Sequence, residues 1–347
     1  MSLKIMSIAS GSHGNCTYIS SETTHILVDA GVNLKRISDA LKTIGVGITD
    51  LSGVVITHEH DDHISGLSAL SNAGVKVYAH ERVMPHIARR IGPIPFENVD
   101  FFDAGFAIGD IAVYPFRIPH DTVYPLAYTF VSGGARVSVA TDIGHITEGI
   151  LSNLKGSQVV LLEANHDVEM LMKGSYAQRL KTRISGANGH ISNDCAANVA
   201  TVLAHSGLKT LILGHMSEEN NCPELAFSTV LSALDANGFS DKVRVELIRI
   251  NAENLSKPMK NKNFKFSNTG NAFLVAFATF YVLSLIYEFS FRFTSGMSGA
   301  AAWCQYLINP VAFIGSMLVY AKRKNVDVVS ATKLNKKIGL KQIGILS

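Results

Sequence analysis

The sequence predicts a mixed α/β fold in which two β-sheets pack face to face and helices cover both outer surfaces. Short runs typical of β-strands open the chain, and strand-like runs then alternate with stretches of helical periodicity. In addition, histidines and aspartates recur where strand-like runs end, the place at which open sheets gather functional side chains. Together these observations favour an enzyme built on a sheet edge.

The predicted elements follow one another at short spacings along the first 240 or so residues. β-propensity and apolar runs predict strands at 4–9, 16–20, 25–29, 53–56, 111–118, 126–131, 136–141 and 211–214. Helical periodicity predicts helices at 33–43, 62–72, 146–154, 192–206 and 223–236. No internal repeat is apparent.

A dense cluster of metal-binding residue types follows the fourth predicted strand. Residues 57–63 read Thr-His-Glu-His-Asp-Asp-His, which places His58, His60, Asp62 and His63 within six positions. Neutral imidazoles and carboxylates are ligands of borderline divalent cations such as zinc and manganese. His58 and His60 alternate to one side, and the other two lie further on, so the spacing predicts two ions. The alternative is a helix start capped by an aspartate, with the histidines on the surface.

Three more candidate metal ligands lie at the ends of other predicted strands: His120, Asp142 and His215. We expect them beside the histidine cluster, because the ends of neighbouring strands meet at one edge of a sheet. A water held between two cations loses its proton near neutral pH and becomes a nucleophile. The sequence therefore predicts a hydrolytic site, in which Asp62 and Asp142 are catalytic as well as ligating residues.

Further motifs give the chain a family resemblance over roughly residues 3–250. They are Ser-Gly-Ser-His-Gly-Asn at 10–15, Leu-Val-Asp-Ala-Gly at 27–31, Glu-Ala-Asn-His-Asp at 163–167, Gly-His-Ile-Ser-Asn-Asp at 189–194 and Gly-His-Met-Ser-Glu-Glu-Asn-Asn at 214–221. With the histidine cluster, they make the chain resemble metallo-β-lactamase-fold hydrolases, specifically the YycJ/WalJ branch, which is related to phosphodiesterases of the RNase Z and RNase J type. The resemblance implies a four-layer αββα sandwich and a nuclease activity.

The resemblance also implies a role for each candidate ligand. His58, His60 and His120 would hold one metal ion, and Asp62, His63 and His215 would hold the other. Asp142 would bridge the two ions. Asp29 resembles the buried family aspartate that supports the histidine loop from behind.

The loop before residue 192 supplies a candidate for assisting the leaving group, His190. Ser192 or Asn193 can cap the helix that follows, and the free amides of its first turn favour an anion such as a substrate phosphate. Related nucleases use a histidine in a similar Gly-His-x-Ser setting, sometimes paired with a carboxylate, and Glu163 is the predicted partner here. Two further candidate substrate contacts are His166 and Asn220. A purely structural role remains the alternative for these loop residues.

The C-terminal part of the chain is strongly apolar between basic flanks. Residues 266–287 and 293–321 contain no charged side chain, and the first stretch is close to the length of a membrane-spanning helix. Lysines lie on both outer flanks, which predicts that both ends are cytoplasmic. We therefore predict a hydrolase domain at 1–254 and, over 255–347, a basic linker, transmembrane helices at about 271–291 and 298–320, and a basic tail. Two buried helices of a small C-terminal domain are the alternative.

Charge is divided unevenly between these parts. The chain holds 31 Lys and Arg and 28 Asp and Glu residues, of which 12 basic and 2 acidic ones lie from residue 255 onward. The hydrolase domain is therefore acidic, with a net charge near −7, and the remainder is basic. An acidic domain is a poor platform for long duplexes, so the charge favours nucleotides or cyclic nucleotides, whereas the resemblance implies DNA or RNA. The residues favour two other functions less. One is the hydrolysis of a thioester, lactone or β-lactam, and the other is a non-enzymatic role as a membrane adaptor.

Two further expectations concern location and assembly. The start of the chain shows no charged leader with a cleavage site, and the four cysteines have no paired spacing. These features predict a cytoplasmic catalytic domain with reduced thiols, anchored to the inner face of the membrane by the tail. Many relatives with this fold form dimers, so a homodimer remains open.

Overall fold

The computed structural model of the chain describes residues 3–248, which form two β-sheets and the helices that cover them. Within these residues the first sheet has the strand order β1-β2-β3-β4-β5-β6 and the second β13-β12-β11-β10-β9-β8-β7. The strands of the first sheet are β1 Lys4–Ala9, β2 Cys16–Ser20, β3 His25–Val28, β4 Gly53–Val55, β5 Val77–Ala79 and β6 Val99–Phe101. Those of the second are β7 Phe106–Ile108, β8 Ile111–Arg117, β9 Leu126–Ser132, β10 Ala135–Ala140, β11 Val159–Glu163, β12 Thr210–Gly214 and β13 Arg244–Leu247.

The helices connect strands and lie mainly after the parallel ones. They are α1 Leu34–Lys42, α2 Asp61–Ile64, α3 Leu67–Asn72, α4 Met84–Ile91, α5 Glu148–Leu154, α6 Val168–Lys173, α7 Gln178–Ile184, α8 Asn193–His205 and α9 Pro223–Ala236. Short 3₁₀ turns lie at Ile48–Asp50 and Phe96–Asn98. The three cysteines in the described part of the chain are unpaired, as expected.

Three clusters of buried apolar side chains show how the sheets and helices are layered. The middle cluster joins the two sheets and includes Val55 of β4 together with Tyr128 of β9. Because successive strand residues point to opposite faces, the preceding residue Val54 faces the other way, into a cluster with α1 and α3. The third cluster packs β10, β11 and β12 against α5, α8 and α9. Helices therefore cover the outer face of each sheet, as the sequence predicts.

One predicted helix is divided in two. The pattern at 62–72 predicts a single helix, whereas the structure has α2 and α3 with a break at Gly66. The amide of Gly66 donates to the carbonyl of Ala30 at 2.7 Å instead of continuing the helix. A Cβ at this position would lie 2.0 Å from the carbonyl oxygen of Val32, so the two segments of backbone can approach only at a glycine.

The parallel strands bring the predicted site residues to one edge of each sheet. β3, β4 and β5 are parallel neighbours, and so are β10, β11, β12 and β13. The candidate residues follow directly at the carboxyl ends of these strands or close the strand itself: Asp29, His58, Asp142, Glu163 and His215.

The predicted membrane hairpin, with helices at 271–291 and 298–320, lies outside the described residues, as does the whole segment 255–347. Between residues 3 and 248 no helix combines the length and the hydropathy needed to span a bilayer.

Candidate metal centre

The first group of candidate ligands consists of His58, His60 and His120, with one nitrogen of each ring within 4.8 Å of the others. His58 Nε2 lies 3.2 Å from His60 Nδ1. His120 Nδ1 donates to the carbonyl oxygen of Gly189 at 3.2 Å, which leaves its Nε2 unprotonated in the neutral ring. That Nε2 is buried and has no hydrogen-bond partner within the described residues. His58 is fully buried, which excludes the alternative of a surface histidine cluster.

The second group consists of Asp62, His63 and His215, again within 4.8 Å of one another. His63 Nε2 lies 3.5 Å from Asp62 Oδ2, and His215 Nε2 lies 4.0 Å from the same oxygen. Each histidine is held from behind through Nδ1, His63 by Asp29 Oδ2 at 2.7 Å and His215 by Glu163 Oε1 at 2.7 Å. A carboxylate behind an imidazole orients the ring and raises its basicity, an arrangement typical of metal sites.

Asp142 lies between the two groups. Its Oδ1 is 3.3 Å from His215 Nε2 and 3.7 Å from His120 Nε2, and its Oδ2 is 3.4 Å from His63 Nε2. The Oδ2 atom is buried and, like His215 Nε2, has no hydrogen-bond partner in the described structure. The carboxylate thus lies within 3.7 Å of an imidazole nitrogen from each of the two groups.

The electrostatics of the cluster favour cations. Burial lowers the pKa of His58 well below its usual value, and the neighbouring His63 and His120 lower it further. Burial also acts to lower the pKa of His63, but the charges of Asp142 and Asp29 outweigh it and raise that pKa well above its usual value. In the same way Asp142 and Asp62 overcome burial and raise the pKa of His215 to about 10. The carboxylates therefore draw positive charge into a buried pocket.

The residues fit a divalent metal. Leaving buried polar atoms without a partner costs about 1–3 kcal/mol each, and His120 Nε2, His215 Nε2 and Asp142 Oδ2 are three such atoms in one place. A cation bound between them would satisfy all three. The imidazole and carboxylate donors are those of borderline divalent ions.

Three residues of the candidate site also have an unusual backbone conformation with positive φ. Asp29 (φ 62°), Asp142 (φ 61°) and His215 (φ 49°) are the non-glycine residues with positive φ in the described part of the chain. Each follows a strand that points at the cluster. Left-handed backbone at a non-glycine residue costs about 1–3 kcal/mol and persists where surrounding contacts enforce it, commonly at functional sites.

Glu163 connects the metal cluster to His190. Its Oε1 accepts from His215 Nδ1 at 2.7 Å and from His190 Nδ1 at 2.8 Å. Its Oε2 accepts from the amides of Ile143 and Ile191 at 2.9 and 3.1 Å. Burial acts to raise the pKa of Glu163, but the charge and hydrogen bond of His190 lower it below the usual value. The predicted pairing of Glu163 with His190 is therefore present in the structure.

Of the four remaining predicted substrate contacts, Ser192, Asn193 and Asn220 form side-chain hydrogen bonds within the protein. Ser192 accepts from the amide of Cys195 and caps α8, as predicted for this helix. Asn193 is 1% exposed and pairs with Asn221, and Asn220 is equally buried and donates to Ser217 Oγ at 3.4 Å. His166 is also buried, and its Nδ1 has no partner within residues 3–248. These contacts favour the structural alternative for Asn193 and Asn220.

Sequence reasoning missed Asn15. Its Nδ2 donates to Asp62 Oδ2 at 3.1 Å and lies 3.0 Å from His63 Nε2. The preceding Ser10 accepts from the amide of His215 at 2.7 Å, so the loop at 10–15 holds residues from both sheets. The glycine-rich motif was the available signal for this residue. His13 in the same loop has metal-binding chemistry, but it is exposed and its Nδ1 lies 3.1 Å from Glu218 Oε1.

Comparison with known proteins identifies the family to which the chain is similar. Residues 24–216 match the family model of the Beta-lactamase superfamily domain. The chain is 36% identical over 242 residues to the exodeoxyribonuclease YycJ of Bacillus anthracis, covering 69% of this chain and 92% of that protein. It is 36% identical over 232 residues to the exodeoxyribonuclease WalJ of Streptococcus pneumoniae serotype 2, covering 65% and 86%. The solved structure of YhfI from Bacillus subtilis, at 15% identity, covers 71% of this chain and 96% of its own with a TM-score of 0.55, and supports the fold alone.

Proposed function

This chain belongs to the metallo-β-lactamase superfamily, in its YycJ/WalJ branch, and on that premise we propose that it is a dinuclear exonuclease acting on single-stranded ends of DNA. It is a metal-dependent hydrolase of phosphodiester bonds. The position of Asp142 between the two ligand groups carries the dinuclear part of the proposal. The names of the curated relatives support DNA as the substrate.

Each of the chain's residues has a defined task in the proposed reaction. Zinc or manganese ions held by the two groups would activate a water and neutralise charge on the phosphoryl oxygens. Asp29 and Glu163 fix the rings of His63 and His215 so that Nε2 of each faces the cluster. His190 Nδ1 donates a hydrogen bond to Glu163, so His190 Nε2 is left to protonate the leaving-group oxygen.

The net negative charge of the domain limits the kind of nucleic acid that it can bind. An acidic domain has few basic groups with which to hold a long duplex, whereas the end of a single strand presents fewer phosphates. The same observation favours small or cyclic nucleotides as a second candidate class. The exonuclease proposal predicts that a polymer is cleaved faster than a cyclic nucleotide, and the second candidate predicts the reverse.

The proposal is tested with the full chain and Mn²⁺ or Zn²⁺. We expect labelled single-stranded DNA to be shortened from an end, faster than 2′,3′- or 3′,5′-cyclic nucleotides are opened. Asp142→Asn should lower the rate more than about 100-fold, since changes behind a ligand already cost roughly 10–100-fold. Asp100→Asn is the matched control, because Asp100 pairs with Lys76 on the exposed edge of the first sheet. Full activity of Asp142→Asn would refute the site, and faster cleavage of cyclic nucleotides would refute the substrate.

For the remainder of the chain we propose the arrangement that hydropathy predicts, with the catalytic domain at 1–254 held at the cytoplasmic face of a membrane by residues 255–347. The uncharged stretches 266–287 and 293–321, with lysines outside them, support it.

A further inference from the structure

A group of stacked side chains that none of the preceding roles explains surrounds Tyr124. The imidazole of His80 stacks on the Tyr124 ring with centroids 3.6 Å apart and planes at 19°. The guanidinium carbon of Arg117 lies 3.8 Å from the same ring centroid, and that of Arg82 lies 5.5 Å away. His80, Arg82, Arg117 and Tyr124 are called the arginine–tyrosine cluster below. Cation–π contact of this kind orders the guanidinium groups.

In the described part of the chain, no carboxylate neutralises the charge of either arginine. Arg82 and Arg117 are exposed, and neither forms an ion pair within residues 3–248. Asp103 approaches His80 at 3.8 Å but does not come within ion-pair distance of either arginine. In contrast, Arg90 and Arg183 pair with Asp61 and Asp121. In a domain with an excess of acidic residues, two fixed and unpaired arginines on one ring form a local positive site.

The arginine–tyrosine cluster borders the metal centre. β4 and β5 are parallel neighbours, so His58 after β4 and His80 after β5 leave the sheet at the same edge. Tyr124 lies four positions after His120 in the loop that joins β8 to β9. The amide of Val123 in this loop donates to Glu59 Oε1 at 3.0 Å, and Glu59 stands between two of the candidate ligands.

We propose that the arginine–tyrosine cluster binds the nucleic acid strand beside the scissile phosphate, and in doing so selects a single strand. This inference rests on the proposed function. Arg117 is exposed and one face of its guanidinium lies over the Tyr124 ring, so in this proposal an unpaired base stacks on the other face, while the exposed Arg82 contacts a backbone phosphate. Bases inside a duplex are already stacked on one another and cannot use this surface.

Binding is measured directly with the full chain in EDTA, so that no cleavage takes place, using fluorescence anisotropy of a labelled oligothymidylate. Relative to wild type, Arg82→Ala/Arg117→Ala should raise the Kd about 10-fold or more, because a stacked base and a phosphate contact are lost. The slope of log K against log salt should fall in magnitude by about 0.7, the value for one lost phosphate contact with a single strand. The matched control is Lys155→Ala/Lys209→Ala, which removes two charges from exposed side chains just before β11 and β12, at the opposite sheet edge.

A charge-preserving variant separates stacking from simple attraction. Arg82→Lys/Arg117→Lys should keep the salt slope but recover only part of the affinity, since lysine has no planar group on which a base can stack. Equal Kd values for wild type and the double alanine variant would overturn the inference, and so would an equal loss in the lysine control pair. Absence of oligothymidylate binding by wild type would overturn it as well.

Activity measurements distinguish failure of the proposed function from failure of the strand-binding inference. Hydrolysis of bis(p-nitrophenyl) phosphate needs the metal centre but no strand contact, so the double alanine variant should lose far less activity on it than on single-stranded DNA. On single-stranded DNA the variant should show a raised KM with kcat little changed. If wild type hydrolyses neither substrate while the binding difference persists, the proposed reaction is wrong and the strand site stands.

Discussion

Glu163 is the residue through which the metal cluster and the candidate acid depend on each other. One carboxylate oxygen accepts from both His215 and His190, and the other accepts from two backbone amides. All its contacts are short and it is fully buried. A change at this position must therefore disturb ligand orientation and proton transfer together.

Substitution of Glu163 by glutamine tests this coupling. The amide nitrogen of glutamine cannot accept hydrogen bonds, so the remaining oxygen can accept from the two histidines or from the amides of Ile143 and Ile191, but not from both pairs. We expect Glu163→Gln to lower both metal affinity and turnover roughly 10–100-fold, measured by calorimetric titration of the metal-free chain with Mn²⁺ and by DNA hydrolysis. His190→Asn is the comparison, and it should slow turnover while metal affinity stays at the wild-type value. A Glu163→Gln protein with unchanged Mn²⁺ affinity would contradict the coupling.

At the scale of single residues, sequence reasoning identifies ligands better than their supports. His58 and Asp142 are predictable because imidazoles and carboxylates at strand ends have few other uses, and the structure brings them together. Asn15 was missed because an amide in a glycine-rich loop has no specific chemistry. Its contact with Asp62 joins residues 47 positions apart and exists only in the folded chain.

Among the elements, the turns opposite the metal centre are joined through Asp110. The turn between β2 and β3 supplies hydroxyl donors to Asp110 Oδ1, from Ser21 and Thr24 at 2.6 Å and from Thr23 at 3.1 Å. Ser132 of β9 donates to Oδ2 at 3.1 Å. Because Asp110 lies between β7 and β8, this carboxylate fastens one sheet to the other.

This link predicts a pH-dependent contribution to stability. The hydroxyl groups of Ser21, Thr24 and Ser132 hold the pKa of Asp110 below its ordinary value. A carboxyl whose pKa is lowered on folding stabilises the fold above its unfolded pKa, about 3.9. That contribution is lost as pH falls through the folded pKa. Asp110→Asn should therefore melt a few degrees below wild type at pH 7, and the gap should narrow below about pH 4.

Thermal melting followed by circular dichroism from pH 3 to pH 8 measures the effect. Asp241→Asn, at an exposed residue before β13, is the control and should follow wild type at every pH. A melting difference for Asp110→Asn that stays constant over this range would show that the ionised carboxylate is not the source of the stability.

The elements themselves are predictable where their periodic pattern is long enough. Strands expected at 4–9 and 16–20 match β1 and β2, and the helix expected at 192–206 is α8, Asn193–His205. The three-residue strands β5, β6 and β7 were missed because so short a run shows no recognisable period. β4 is equally short, but it was predicted because its apolar run continues to Ile56 and the histidine cluster follows directly. The division of α2 from α3 was missed because it depends on the backbone of another loop.

At the scale of the whole molecule, the site depends on both sheets at once. Asp29 and the histidine cluster follow strands of the first sheet, whereas His120, Asp142, Glu163 and His215 lie on the second. Metal binding should therefore stabilise the sheets against each other. Any ion that binds the folded chain and not the unfolded one raises the melting temperature in a concentration-dependent way.

The acidic domain and the basic, apolar remainder predict a second whole-molecule property, membrane attachment. The full chain should sediment with membranes and resist an alkaline wash, which removes proteins held only by charge, whereas a chain ending at Asn254 should stay in the supernatant. Leu283→Lys places a charge within the stretch 266–287, where a lysine costs about 2.5–3.5 kcal/mol at a helix centre. It should weaken attachment, and Ser284→Ala, its neutral neighbour, should not. Release of the full chain by the alkaline wash would show that the lysines bind the membrane surface and that no segment spans it.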